Sequence, residues 1–326
     1  KFLNNRLGID FTWYKTNTYN QLMKVTTPSS SGYSSGWINA GNIQNKGVEI
    51  MIESTPIKTN NFEWNVDLNF TRNVNEVIAL TDKLSAYKID TPNLAEGDNW
   101  VIVGRPYGEL YTSGFMRNTE GKIIVDALGM PKINTAVDTR GVASTYLGNF
   151  NYDWQSGLTN NLSYKNWNMS FLIDLNYGGV RQSATEAMML ECGTSKASLV
   201  GREGGIVVDG VLADGVTVNT KAVSAQSYCE LVGGRISQNA SGEPFNHSAT
   251  NSRLRELAIG YSIPVKSTLI KALKVSAVGR NLFYIYNGCK WFDPDTTYDN
   301  STNGQGAESA FMPGTRTLGV NIKLTL

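Results

Sequence analysis

The chain has 326 residues, with 29 lysines and arginines against 28 aspartates and glutamates, so its formal net charge is +1. This balance gives no electrostatic reason to expect a nucleic-acid partner, because proteins that bind nucleic acid present a basic face. Charged residues are only 17% of the chain, whereas aromatic residues reach 10% and glycines number 32. This composition favours β-structure over helical bundles.

No segment contains the roughly 18 consecutive apolar residues that a membrane-spanning helix requires. The mean hydropathy is slightly polar, as it is in membrane β-barrels, where only alternate residues face lipid. The three cysteines (Cys192, Cys229 and Cys289) lack a CxxC spacing, and His247 is the single histidine. We therefore expect no metal site and no cofactor. The sequence leaves open whether Cys192 and Cys229 form a disulfide.

A regular alternation of apolar and polar residues predicts β-strands along the chain. It starts over residues 7–13, continues over 48–53 and is strongest over 62–70, where every even position is apolar. Further strands are predicted at 157–165, 167–177, 253–263, 273–286 and 318–326. Many of these segments run for about 9–13 residues, which is longer than soluble strands and long enough to cross a bilayer at a tilt.

In a membrane barrel, the apolar face of each strand contacts lipid and the polar face lines the lumen. We expect lipid contact from the last strand, through Leu318, Val320, Ile322, Leu324 and Leu326. The polar side chains expected to line the lumen are Glu49, Glu53, Glu63, Asp67, Asp174 and Lys323.

The predicted connections alternate between short and long. Short turns are expected near 55–60, 165–166 and 264–272, and long loops at about 17–42, 73–154, 178–250 and 287–314. Bacterial barrels have short periplasmic turns and long external loops, so eight strands place every long loop outside. Two more strands around residues 100–115 would preserve this parity. The alternative is a soluble or surface β-sandwich that binds glycans, such as an adhesin module, because half-buried antiparallel strands also alternate.

Several motifs in a consistent order resemble the C-terminal third of SusC/RagA-type TonB-dependent transporters of Bacteroidetes outer membranes. They are Leu3-Asn4-Asn5-Arg6-Leu7, residues 39–49 (NAGNIQNKGVE), the strand at 62–75, Gly104-Arg105-Pro106-Tyr107-Gly108, residues 253–264, Gly279-Arg280-Asn281-Leu282-Phe283, Asp293-Pro294-Asp295 and Arg316-Thr317-Leu318-Gly319-Val320. The resemblance covers nearly the whole chain. One departure is the final residue, which is Leu326 where the family usually has an aromatic residue.

The resemblance implies an all-β fold, in which 8–10 strands form the C-terminal part of a plugged transmembrane barrel of about 22 strands. The chain opens at Lys1 without a signal peptide, so the plug and the remaining strands are expected outside this sequence. The implied function is TonB-dependent import of an oligosaccharide, or of peptides in some members, across the outer membrane of a Gram-negative bacterium. The implied partners are a SusD-like lipoprotein lid, the TonB–ExbB–ExbD complex, the remaining barrel strands and membrane lipid.

Aromatic residues in the long loops are the candidate substrate-binding groups: Trp37, Trp291, Phe292 and Tyr298. Such rings stack on sugar faces, and packing against neighbouring loops or a lid protein is the competing explanation. The acidic stretch 293–299 lacks the glycine and distal glutamate of a calcium loop, which favours an ordinary turn. A single histidine and no nucleophile or phosphate-binding motif give no basis for catalysis, so we do not expect an enzyme.

Overall fold

The computed structural model describes residues 2–26, 32, 35–81, 84–89, 97–234, 241–266, 269–296 and 305–325. Its central feature is one sheet of eight antiparallel strands that pair in chain order, with β1 and β8 at the two edges. The strands are β1 (Leu7–Thr26), β2 (Ser35–Lys58), β3 (Phe62–Ala79), β4 (Trp154–Tyr164), β5 (Trp167–Tyr177), β6 (Asn251–Ile263), β7 (Ala272–Asn287) and β8 (Thr317–Thr325). The predicted all-β fold of eight consecutive strands is confirmed.

The register joins the apolar residues of neighbouring strands into one continuous face. Leu68 of β3 lies opposite both Ile52 of β2 and Leu158 of β4. Near the other edge, Ile322 of β8 lies opposite Val275 of β7. Because directly paired residues point to the same side of a sheet, the alternation within each strand extends across the whole sheet. We call this side the apolar face.

The six polar residues predicted to line a lumen lie on the opposite side, which we call the polar face. Glu53 of β2 pairs with Asp67 of β3, and Asp174 of β5 pairs with Arg253 of β6. Glu49, Glu63 and Lys323 follow from the alternation along their own strands. Their shared face is thus established, and their contact with a lumen stays a prediction.

The apolar face is exposed, which a β-sandwich does not allow. In a sandwich, this face would pack against a second sheet and leave the polar face in water. Here Ile9, Phe11 and Trp13 of β1 are each more than half exposed. Four of the five predicted lipid-facing residues of β8 are also 50–74% exposed: Leu318, Val320, Ile322 and Leu324. Leu326 lies outside the described residues. The β-sandwich alternative is therefore wrong.

The connections between the eight strands alternate between the two ends of the sheet, and the three longest ones share one end. At one end are the turns 59–61, 165–166 and 264–271, and at the other are the connections 27–34, 80–153, 178–250 and 288–316. The Thr59 hydroxyl accepts a hydrogen bond from the Phe62 N–H at 3.0 Å and closes the β2–β3 turn. Lys165 begins the β4–β5 turn with φ at 52°, a left-handed conformation that tight hairpins use.

The structure corrects two predicted loops. The pattern predicts a loop over 17–42, whereas β1 and β2 stay paired up to Thr26 and Ser35, because backbone pairing continues where the apolar alternation stops. The strands expected around 100–115 do form, at Gly97–Ile102 and Glu109–Thr112, but they belong to a separate four-stranded sheet. Three consecutive residues of the first, 100–102, are buried, so both of its faces are covered by protein.

The connections 80–153, 178–250 and 288–316 pack together into what we call the loop body. It contains the four-stranded sheet of Ala86–Lys88, Gly97–Ile102, Glu109–Thr112 and Thr145–Asn149, and a three-stranded sheet of Val180–Ser183, Asn246–Ser248 and Ala307–Glu308. Its paired short strands are Gly114–Phe115 with Ile133–Asn134, Ile123–Ile124 with Gly210–Val211, and Ile206–Val207 with Ala222–Val223. Its helices are α1 (Ala184–Glu191), α2 (Ala225–Gly233) and the 3₁₀ turns Lys196–Leu199 and Glu243–Phe245. Among the described residues, no helix has the length and apolar character to span a bilayer.

A buried group of charges fixes the loop body to the sheet. Arg253 of β6 has a 5% exposed side chain and donates from Nη2 to Asp293 Oδ1 at 2.7 Å. Its guanidinium lies 3.9 Å from the ring centre of Tyr284, whose hydroxyl also donates to Asp293. Asp295 binds Arg253 at 3.2 Å and Arg255 at 2.7 Å. Because both aspartates belong to the last connection, this network holds that connection against the polar face.

We expect an introduced charge to lower the free energy of unfolding by different amounts on the two faces of β5. Ile173 lies near the middle of the strand on the apolar face, and Ser170 lies on the polar face. We expect Ile173→Arg to lower the free energy of unfolding of the membrane-inserted protein by about 2–4 kcal/mol, and Ser170→Arg by less than about 1 kcal/mol. Urea titration of the intact protein in lipid vesicles measures both changes. Equal losses for the two variants would count against lipid contact on the apolar face.

Two arginines that pair with carboxylates, one buried and one exposed, should differ in how much their removal lowers the free energy of unfolding. Arg253→Ala leaves Asp293 buried without its cation, and we expect a loss of about 3–5 kcal/mol in the free energy of unfolding. The matched control is Arg280→Ala, because Arg280 is 65% exposed and pairs with Glu256 at 3.1 Å; its loss should stay below about 1 kcal/mol. The same urea titration serves here. A small effect of Arg253→Ala would show that the network is not needed to hold the loop body.

Candidate ligand-binding cavities of the loop body

The structure brings together two of the four aromatic residues predicted to bind substrate. Trp291 is 70% exposed and Phe292 is half-buried, and both line one cavity of the loop body. Trp37 lies on the extended part of β2, opposite Lys24 of β1, and does not line this cavity. Tyr298 lies outside the described residues. A role in binding stays a prediction for all four.

We call the cavity that holds Trp291 and Phe292 the aromatic pocket. Its volume is about 450 Å³, within the usual range for small-ligand sites. Its apolar lining residues are Met189, Leu190, Ala197, Phe245, Trp291, Phe292, Phe311 and Pro313. Three carboxylates also line it: Glu186, Asp293 and Glu308. The pocket therefore combines apolar walls with negative charge.

Helix α1 and the turn that follows it form one wall of the aromatic pocket. The helix starts after Ser183, whose hydroxyl accepts a hydrogen bond from the Glu186 N–H at 3.0 Å. After the helix, Gly193 has φ at 69°, a left-handed conformation that ends many helices. The N–H groups of Thr194 and Ser195 then bind the carbonyl oxygen of Met189. This reversal brings residues 194–197 back beside the helix, where they line the pocket.

A second cavity, which we call the amide cavity, lies where β3 and β4 meet the loop body. Its volume is about 560 Å³. Side-chain amides dominate its lining: Asn73, Asn75, Asn149, Asn151, Gln155 and Gln305. Two of them are held in place, because the Nδ2 groups of Asn149 and Asn151 donate to the Tyr107 carbonyl at 2.9 and 3.0 Å. Amides both donate and accept hydrogen bonds, so they suit sugar hydroxyls and peptide groups alike.

Arg181 and Tyr152 add a cation and a phenol to the amide cavity. Arg181 is 7% exposed, and its guanidinium lies 5.1 Å from the ring centre of Tyr152. Its nitrogens donate to the carbonyl oxygens of Phe150, Val180 and Pro294. Burial raises the pKa of the Tyr152 phenol, and a phenol is protonated at neutral pH even without that shift.

Arg181, Tyr152 and Glu308 were not predicted from the sequence. All three lie in long connections, where no periodicity indicates which side chains are buried. The one local signal is the polar and aromatic run Asn149-Phe150-Asn151-Tyr152-Asp153. That composition is typical of many exposed turns as well, so it could not have identified the cavity.

The three cysteines are free thiols, which answers the question of a disulfide between Cys192 and Cys229 in this structure. Cys229 belongs to the apolar cluster between α1 and α2. Cys289 is fully buried, and burial raises the pKa of its thiol to about 12. Cys289 is therefore protonated at neutral pH and a poor nucleophile.

The acidic turn at 293–295 is filled by protein donors. The Asp293 carboxylate accepts hydrogen bonds from Arg253, from the Tyr284 hydroxyl and from the Gly314 N–H. In the ranges that the structure describes, no group of three or more histidine, cysteine, aspartate or glutamate side chains could hold a metal ion. The arrangement supports the interpretation of this stretch as a structural turn.

Comparison with known proteins identifies relatives along nearly the entire chain, although no family model matches it. TonB-dependent receptor P3 of Formosa agariphila is 27% identical over 348 residues, which cover 98% of this chain and 32% of that protein. TonB-dependent receptor SusC of Bacteroides thetaiotaomicron is 25% identical over 330 residues, which cover 96% of this chain and 30% of that protein. The solved structure of the RagAB peptide importer in the "closed-closed" state superimposes with a TM-score of 0.66 at 18% identity, over 98% of this chain and 34% of that chain.

The chain therefore spans about a third of the length of these relatives. The shared fold identifies the eight-stranded sheet as part of a transmembrane antiparallel barrel, and an open sheet is what a part of a barrel presents. The relatives are named as receptors and an importer, in line with the expectation of a protein that is not an enzyme. In sequence the chain is similar to TonB-dependent receptors of Formosa agariphila and Bacteroides thetaiotaomicron, and in fold it is similar to the RagAB peptide importer.

Proposed function

We propose that the protein to which this chain belongs imports a nutrient, an oligosaccharide or a peptide, across the outer membrane in a TonB-dependent manner. The observation that carries this proposal is the similarity to TonB-dependent receptors, in sequence and in fold, along nearly the whole chain. Among these relatives, RagAB is named as a peptide importer. The chain itself supplies part of the barrel wall and a large part of one rim.

The two faces of the sheet support a passage through the barrel. An apolar side in lipid leaves the polar face directed inward, where its carboxylates, hydroxyls and amides can be hydrated. The network around Arg253 keeps the last connection at the end of this face. The amide cavity lies at the same end, so a ligand that arrives from outside would meet hydrogen-bonding groups before it reaches the polar face.

We also propose that a SusD-like lipoprotein covers the loop body. Large apolar side chains stand out from its surface, with Val216 80% and Met312 86% exposed. Others are Leu199, Val200 and Val218, all more than half exposed. Exposed apolar groups of this kind are favoured at protein interfaces. The TonB–ExbB–ExbD complex would act on a part of the protein outside this chain.

Purification and uptake measurements test this function together. We expect the intact protein to be extracted from outer membranes only with detergent and to co-purify with one lipoprotein in about equal amount. Deletion of its gene should abolish uptake of a fluorescently labelled oligosaccharide or peptide, and a protonophore should do the same in wild-type cells, because TonB-dependent import draws on the proton gradient. The gene restored in the deletion strain is the control. Recovery of the protein from the soluble fraction, or unchanged uptake after deletion, would falsify the proposal.

A further inference from the structure

We propose that the aromatic pocket binds a basic side chain, lysine or arginine, of a peptide ligand, with Glu308 as the countercharge. The inference rests on the proposed function, because it concerns a group of the nutrient that the protein would import. It starts from the buried carboxylate of Glu308 and from the chemistry of the walls around it.

Glu308 is 3% exposed, and the donors that reach it are neutral. One carboxylate oxygen accepts from the Ser183 hydroxyl at 2.6 Å, and the other accepts from the Thr185 hydroxyl at 2.6 Å and the Phe311 N–H at 3.3 Å. Within the described part of the chain, no lysine, arginine or histidine forms an ion pair with it. A buried carboxylate without a cation is costly, so a positively charged ligand group would gain from reaching it.

The other two carboxylates of the pocket already have partners. Asp293 is paired with Arg253 at 2.7 Å, and Glu186 lies 2.5 Å from His247 Nε2. The pocket also has one lining cation, Lys196, whose side chain is exposed and forms no ion pair among the residues that the structure describes. His247 carries a charge only when its ring is protonated, and the Glu186 side chain is 24% exposed. Glu308 is the most deeply buried of the three carboxylates, and within the described residues no lysine, arginine or histidine contacts it, so it determines where a ligand cation would bind.

The walls of the pocket suit the apolar stem of a long basic side chain. Trp291 and Phe311 are 70% and 48% exposed, so their ring faces are accessible, and Met189 on α1 is 42% exposed. Lysine and arginine bury their methylene stems against such surfaces, and their charged ends are attracted to aromatic faces. This arrangement matches a chain of methylenes that ends in a cation.

An amino sugar carries the same charge, but it fits these walls less well. Each sugar ring bears several hydroxyl groups, and hydroxyls placed against apolar side chains lose hydrogen bonds to water without replacement. Of the two cavities, the amide cavity has the lining better suited to hydroxyls, because side-chain amides both donate and accept hydrogen bonds. The aromatic pocket therefore favours a peptide over a glycan as its occupant.

Binding of matched peptides to the purified intact protein tests the assignment. The probes are alanine pentapeptides with a central lysine, norleucine or glutamate, measured by calorimetry in detergent; norleucine keeps the stem and removes the charge. We expect the lysine peptide to bind at least about tenfold more tightly than the norleucine peptide, because a hydrogen bond to a charged partner is strong. Glu308→Gln should remove this preference. Glu120→Gln is the matched control, because the Glu120 side chain is 70% exposed, and it should retain the preference.

The comparison of peptides on the wild-type protein decides the question even if Glu308→Gln fails to fold. Trp291→Ala serves as a second variant, and it should weaken the lysine and norleucine peptides together. Equal binding of these two peptides to the wild type, or a lysine preference that survives in a folded Glu308→Gln, overturns the proposal. So does tighter binding of a glucosamine disaccharide than of the lysine peptide. A protein that imports its nutrient but lacks the lysine preference rejects only this inference, whereas unchanged uptake after gene deletion rejects the proposed function itself.

Discussion

Every backbone N–H and C=O group within a bilayer needs a partner in the protein, because hydrocarbon offers none. The rest of this structure depends on that constraint. Between neighbouring strands of the sheet, from β1 to β8, the pairing of each strand with the next satisfies it, and the pairing also fixes which side chains share a face. A shift of one residue between two neighbouring strands would send a row of carboxylates and amides into lipid. The alternation is therefore kept in step across all eight strands, not only within each one.

The loop body is stabilised by different interactions from those of the sheet. Its elements are short, and it is held together by small apolar clusters, capped helices and many side-chain hydrogen bonds to the backbone. The loop body is joined to the sheet by ion pairs, and the arginines of these pairs belong to β6. The register against β5 shifts so that Arg255 is an extra residue of β6, and the register against β7 also shifts on both sides of Arg253; such bulges redirect side chains. Arg253 and Arg255 both reach the aspartates of the last connection as a result.

The sheet could be predicted from the sequence because its signal is periodic. The even positions of 62–70 and the run 318–326 each indicate a strand, a face and an approximate length. The extensions of β1, β2 and β3 were not predictable in this way, because beyond the bilayer both faces meet water and the selection for alternation ends. The strand Gly97–Ile102 shows the opposite limit. Its buried residues run consecutively because protein covers both sides, so its sequence cannot reveal which sheet it joins.

The candidate cavities were predictable only in their aromatic residues. Trp291 and Phe292 stand out in any polar loop, and they do meet in one pocket. Glu308 has no such signal, since a glutamate in a long loop is ordinarily solvated. Its burial depends on the parallel pairing of Ser183 with Glu308, a contact between residues far apart in the chain. Trp37 shows the reverse case, where a prominent aromatic residue lies on a strand away from the pocket.

The β1–β2 hairpin has strands of 20 and 24 residues. At roughly 3.3 Å per residue, the shorter strand is about 65 Å long, while the apolar band of such barrels is about 25 Å tall. Even at a steep tilt, much of the hairpin lies outside the membrane, where its two strands remain hydrogen-bonded to each other. The length of the hairpin outside the membrane therefore does not depend on the thickness of the bilayer. Paired residues can be gained or lost at its tip during evolution, in matched numbers on both strands, while the membrane-embedded half of the wall remains unchanged.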